Sequence, residues 1–92
     1  MNSPRFIAEL KLTETTGPVK ARADVRIELP GGSLELFGFS VIQKDGEPPW
    51  VGFPQKQGKI PGKYFPVVTA EGEVRKEIIE VILETYETSA HI

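Results

Sequence analysis

Apolar and polar residues alternate without a break from Val19 to Leu29. Val19, Ala21, Ala23, Val25, Ile27 and Leu29 fall on one side, and Lys20, Arg22, Asp24, Arg26 and Glu28 on the other. A period of two puts all the apolar side chains on one face of a strand and leaves the other face wet, which is the pattern of an antiparallel sheet covered on one side. Arg5 to Thr13 repeats the pattern, with Phe6, Ala8, Leu10 and Leu12 opposed to Glu9, Lys11 and Thr13, and with Ile7 as the exception. Thr15-Thr16-Gly17-Pro18 between the two predicts a hairpin. Pro30-Gly31-Gly32 predicts the next reversal, into a strand from Ser33 to Gln43.

In that third strand the alternation fails. Leu34 and Leu36 point one way and Phe37, Phe39 and Val41 the other, with Gly38 between the phenylalanines. Either a bulge at Gly38 shifts the register, or the strand is covered on both faces, by a helix on one side and a second subunit on the other. The second is the working expectation. Lys44-Asp45-Gly46-Glu47 reads as a turn, and Pro48-Pro49 delays a short strand at Trp50. Gln55 to Lys63 reads as a loop of glycines, a proline and lysines, followed by a strand from Tyr64 to Val68 whose Pro66 assigns it to an edge or a strand end.

A helix is predicted from about Ala70 to Thr88, with Thr69 as N-cap and Glu71 and Glu73 in the first turn. Val74, Ile78, Val81, Ile82 and Thr85 or Tyr86 recur at helical spacing, and Ile79 and Leu83 widen the apolar arc. Glu73, Glu77, Glu80, Glu84 and Glu87 mark the wet face. The expected architecture is α+β: an antiparallel sheet of about five strands with one C-terminal helix packed on it, in a single domain over residues 1–92 with a core from about 6 to 87.

Charge adds a local asymmetry to this picture. The whole chain carries a net charge of −2, which does not suit a surface built throughout for a polyanion. From Pro54 to Ala70, however, Lys56, Lys59 and Lys63 stand with no acid, whereas from Glu71 to Glu87 six glutamates against Arg75 and Lys76 leave a net of −4. Catalytic chemistry has little material. There is no cysteine, the one histidine, His91, is second from the end, and Asp24 and Glu28 are four strand residues apart, about 13 Å at ~3.3 Å per residue, too far to work on one bond. No catalytic residue, metal site, cofactor or small-molecule substrate is expected. The N-terminus lacks a signal-peptide core and no apolar run reaches the roughly 18 residues of a membrane span, so a cytoplasmic protein without membrane contact is expected. The charged face of residues 19 to 29 reads as an ordinary solvated face, with a nucleic-acid face as the alternative. Trp50 reads as core or interface, with base stacking as the alternative.

The ordered set of these parts resembles the stage V sporulation protein G (SpoVG) family of septation proteins. The likeness is carried by the alternating strand at 19 to 29, the apolar strand Leu34 to Ile42, the block Trp50-Val51-Gly52-Phe53-Pro54-Gln55-Lys56, the block Phe65-Pro66-Val67 and the helix end Ile82-Leu83-Glu84-Thr85-Tyr86. It spans roughly residues 6 to 87, and its most specific piece is the aromatic-Val-x-apolar-Pro-x-Lys block. The resemblance implies a small homodimer, a bacterial regulator linked to septation, cell division and sporulation that binds DNA or RNA. By position it implies nucleic-acid contacts from Lys56, Lys59 and Lys63 in or beside the loop and from Arg75 and Lys76 early in the helix. The competing expectation is a protein-interaction or assembly module of the same fold with no nucleic-acid binding.

Overall fold

In the computed structural model, which describes residues 4–13 and 17–90, the alternating segments form a four-stranded antiparallel meander. Strands β1 (Arg5–Leu12), β2 (Val19–Leu29), β3 (Gly32–Ile42) and β4 (Trp50–Gly52) lie in chain order across it. A second sheet contains only β5 (Gln55–Gln57) and β6 (Tyr64–Pro66), and helix α1 (Gly72–Ala90) closes the chain. The α+β reading holds, but the strand from Tyr64 does not extend the main sheet. Pro54, which has no N–H to donate to a ladder, lies where the chain leaves it. What read as a loop from Gln55 begins as a strand paired with β6.

Along β2, Ala21, Ala23, Val25 and Ile27 are buried while Arg22, Asp24 and Arg26 are exposed, as the period of two requires. β1 meets β2 with Phe6 opposite Ile27, Ala8 opposite Val25 and Leu10 opposite Ala23, so its apolar residues join the same face. The turn residues Thr15 and Thr16 lie outside the described residues, but the antiparallel ladder runs from Arg5↔Glu28 to Leu12↔Ala21. Thr13 closes its end, its hydroxyl donating to the Val19 carbonyl at 2.6 Å.

β3 resolves the broken alternation by a bulge. Ala23 pairs with Phe39 and Val25 with Leu36, so Phe37 and Gly38 together oppose Asp24. Gly38 has φ 92, a conformation that costs a side-chain-bearing residue, and its N–H donates to the Asp24 carboxylate at 3.3 Å. The extra residue returns Phe39 and Val41 to the face of Leu36. Phe39 and Val41 are fully buried there, while Phe37 is left on the opposite face, 61% exposed. The expectation that Phe37, Phe39 and Val41 share a face is therefore corrected: the register shift separates Phe37 from the other two.

Helix α1 lies on the core face, chiefly over β1, with Ile78 and Ile82 fully buried. The small side chains of Ala21 and Ala23 leave room beneath for these isoleucines. At the far end the Tyr86 hydroxyl donates to Gln43 Oε1 at 3.2 Å. The helix begins later than expected. Gly72 has φ 63, far from the helical value of about −63°, so Ala70 and Glu71 are not helical and Thr69 is not the cap. Val74, predicted in the apolar arc, is exposed in the first turn. Among the described residues every fully enclosed side chain is apolar, and no buried side-chain polar atom lacks a partner.

Candidate nucleic-acid interface

Lys56, Lys59 and Lys63 all belong to a two-stranded ribbon. Gln55 pairs with Pro66, Lys56 with Phe65 and Gln57 with Tyr64. Backbone bonds outside those pairs keep the same register: the Val67 N–H donates to the Pro54 carbonyl at 2.9 Å and the Gly58 N–H to the Lys63 carbonyl at 2.8 Å. The tip closes where the Lys63 N–H donates to the Ile60 carbonyl at 3.2 Å, around Pro61 and Gly62. Proline at the first central position and a glycine with φ 84 at the second are the residues a type II turn demands. The sequence therefore builds the ribbon locally, through its own turn and register.

The ribbon packs on no other strand and not on the helix. With it standing apart, the chain has a radius of gyration of 14.2 Å, against about 12 Å for a compact chain of this length. Its apolar side chains find no cover, and Ile60, Tyr64, Phe65 and Val67 are each about three-fifths exposed. Side chains alternate across the ribbon. Lys56, Lys63, Phe65 and Val67 share one face, and Gln55, Gln57, Tyr64 and Pro66 share the other. Lys59 is at the tip, exposed.

Arg75 and Lys76 are placed differently. The Arg75 guanidinium lies 4.6 Å from the centre of the Phe53 ring, which in turn meets Phe39 edge to face at 5.1 Å. Arg75 thus ties the first turn of the helix to the aromatic core, while its charge faces a cleft of about 620 Å³. Gln55 and Pro66 from the ribbon, Trp50 from β4 and Thr69 line the same cleft. Lys76 stands 4.0 Å from Glu80 on the helix surface, an exposed pair worth a few tenths of a kcal/mol at most. The five cations named from the sequence thus do not form one patch. Lys56 and Lys63 share the outer face of the ribbon, Lys59 caps it, Arg75 looks into the cleft on the other side, and Lys76 has an acidic neighbour.

Trp50, expected in the core or an interface, is 51% exposed at the cleft. The charged face of β2 is exposed and largely self-neutralising. Arg26 and Arg5 both stand 3.7 Å from Glu28, and Asp24 is engaged by the bulge. Sequence reading singled out the lysines and missed Phe65, which shares the ribbon face of Lys56 and Lys63. The available signal was Tyr64-Phe65-Pro66-Val67, a strand with no polar alternation in a segment free of acids.

No helix among the described residues is long and apolar enough to cross a membrane. His91 lies outside the described residues, within which no group of three or more His, Cys, Asp or Glu side chains is gathered where a metal ion could be held. The chain matches no family model, no curated protein and no solved structure.

Proposed function

We propose that this chain is a SpoVG-like, homodimeric, nucleic-acid-binding regulator linked to septation and sporulation, which holds phosphates with the lysines of its β5–β6 ribbon. The observation that carries the proposal is a projecting ribbon with Lys56, Lys59 and Lys63 and no acid from Pro54 to Ala70, on a chain that is otherwise net acidic. Lysines on an exposed ribbon act as point charges for a phosphate backbone, and each phosphate neutralised releases counterions. Arg75 and Lys76 lie near the helix start as secondary contacts, and the acidic face of the helix directs a polyanion away from itself and towards the ribbon. The homodimer places its partner on the sheet face opposite the helix, where Phe37 stands uncovered.

The test is fluorescence anisotropy of labelled DNA and RNA at two or more salt concentrations, with sedimentation velocity to establish the dimer. Replacing Lys56, Lys59 and Lys63 together by alanine weakens binding for all sequences alike. It also flattens the salt dependence by roughly 0.7 to 0.9 logarithmic units per lost phosphate contact. Unchanged affinity in the triple variant rejects this site.

A second reading is favoured by the open edges of the ribbon, whose two strands pair only with each other. A partner protein adding a strand there would make the chain an assembly module with no nucleic-acid binding. That reading requires a partner that is lost when an additional proline blocks the edge between Tyr64 and Val68.

A further inference from the structure

We infer that the ribbon is built for single-stranded nucleic acid, with the Phe65 ring as a stacking platform for one base and Lys56 and Lys63 as the phosphate contacts on either side. The inference rests on the nucleic-acid reading above and narrows it to a strand type and to a residue that supplies no charge. The ladder sets the geometry. Lys56 is directly opposite Phe65, and Lys63 is directly opposite Gly58, one step further along the same face. The two lysines are therefore diagonal neighbours, about 7–8 Å apart at the backbone, with the ring between them.

Gly58 decides how the ring lies. A Cβ built at Gly58 would overlap the Cε2 edge of Phe65, so the ring is folded down onto the bare backbone of that glycine. The Cδ2–Cε2 edge of the ring occupies the space over that backbone, and the residue is still 59% exposed. An aromatic ring seated by one edge on backbone, open to solvent and bracketed by lysines suits a base with its flanking phosphates, because every base has a π face and stacking does not depend on sequence.

The same face is poorly made for a duplex. A two-stranded ribbon fits the major groove of DNA, but of the side chains that pair with base edges there this face offers only its lysines, which the phosphates also attract. The glutamines of this ribbon, Gln55 and Gln57, are on the opposite face, and Gln55 is turned into the cleft beside Arg75. In a duplex the base faces are covered by their neighbours, so Phe65 would have nothing to stack on. A lipid surface is a weaker match as well. An interfacial anchor carries its apolar groups beyond its charges, whereas this ring is folded down between Lys56 and Lys63.

The experiment compares a short fluorescein-labelled single-stranded DNA, the RNA of the same sequence and the annealed DNA duplex, titrated at low salt with the full chain. The unmodified protein binds both single strands more tightly than the duplex. Phe65→Leu keeps an apolar side chain and removes the π face, and lowers single-strand affinity roughly tenfold while leaving duplex affinity within about twofold. Gly58→Ala, which lifts the ring from its seat without deleting it, gives a loss in the same direction, and Phe65→Trp retains binding. Matching far-UV circular dichroism and urea midpoints establish that the variants keep the fold.

Several results overturn the inference. If Phe65→Leu binds single strands as tightly as the unmodified protein, or if the duplex binds at least as tightly as the single strand, the stacking platform is rejected. The phosphate-binding reading survives that outcome as long as the triple lysine variant loses affinity. If no oligonucleotide binds at low salt, both fall. Binding to phosphatidylglycerol vesicles in place of oligonucleotides also rejects both, and assigns the ribbon to a lipid surface.

Discussion

Phe39 in the four-stranded sheet and Phe65 in the ribbon are the same side chain on neighbouring parts of one chain, yet the first is fully enclosed and the second leaves 59% of its surface in water. The sheet has a helix on one face, so an apolar residue in register with Ala23 is buried by Ile78, Ile82 and Phe53. The ribbon has a turn and a ladder but no third layer. Two strands alone have no interior, and a lone hairpin is marginal in water. The comparison separates two requirements: backbone pairing gives an element its shape, and only a covering layer gives its apolar residues a stabilising role. Apolar residues retained on an element without that layer are available to bind something else.

The sharpest way to break this comparison is to truncate both rings. Phe39→Ala removes a wholly buried aromatic and costs about 3–5 kcal/mol, whereas Phe65→Ala stays within about 0.5 kcal/mol, both read from urea unfolding. Equal losses would mean that the ribbon is packed in solution and that the two regions do not differ as described. Gly38→Ala tests the joint between good packing and broken alternation, with an expected loss of about 1–2 kcal/mol. The cost comes from the backbone at φ 92 and not from crowding. The nearest atom to a new Cβ would be that of Pro54 at 3.6 Å, an ordinary contact. A loss below a few tenths of a kcal/mol would show that the bulge relaxes.

The β1–β2–β3 meander and the helix were legible in the sequence because each element has one buried and one wet face, and the periods of 2 and 3.6 print that asymmetry directly. β3 was legible only as an anomaly. The residues around Gly38 fit both a bulge and a twice-covered strand, and the choice shows only in the pairing with β2, where Phe37 and Gly38 together oppose Asp24, a neighbour fourteen positions from Gly38. The ribbon was harder still. Gln55, Lys56 and Gln57 carry no apolar pattern, and only their pairing with Tyr64 to Pro66 makes them a strand. Of the candidate site, the charges were visible as a run of lysines without acids. The seating of Phe65 on Gly58 was not, because it arises from a diagonal across the ladder, which no periodicity along one strand encodes.

A smaller loss than at Gly38 is expected at Arg75, where the two regions meet. Its guanidinium stacks on Phe53, and its charge also faces the cleft that Gln55 and Pro66 of the ribbon help to line. Arg75→Met keeps much of the aliphatic stem and removes the cation, so the expected cost is about 0.5–1 kcal/mol, the scale of an exposed cation–π contact. A double-mutant cycle with Phe53→Leu isolates the pair: if the contact is the whole role of Arg75, the two losses are not additive and Arg75→Met costs nothing once the ring is gone. Oligonucleotide affinity measured on the same four proteins divides the remaining possibilities. An affinity loss that persists in the Phe53→Leu background makes Arg75 a ligand contact across the cleft, and an affinity that follows stability alone makes it a tether for the first turn of the helix.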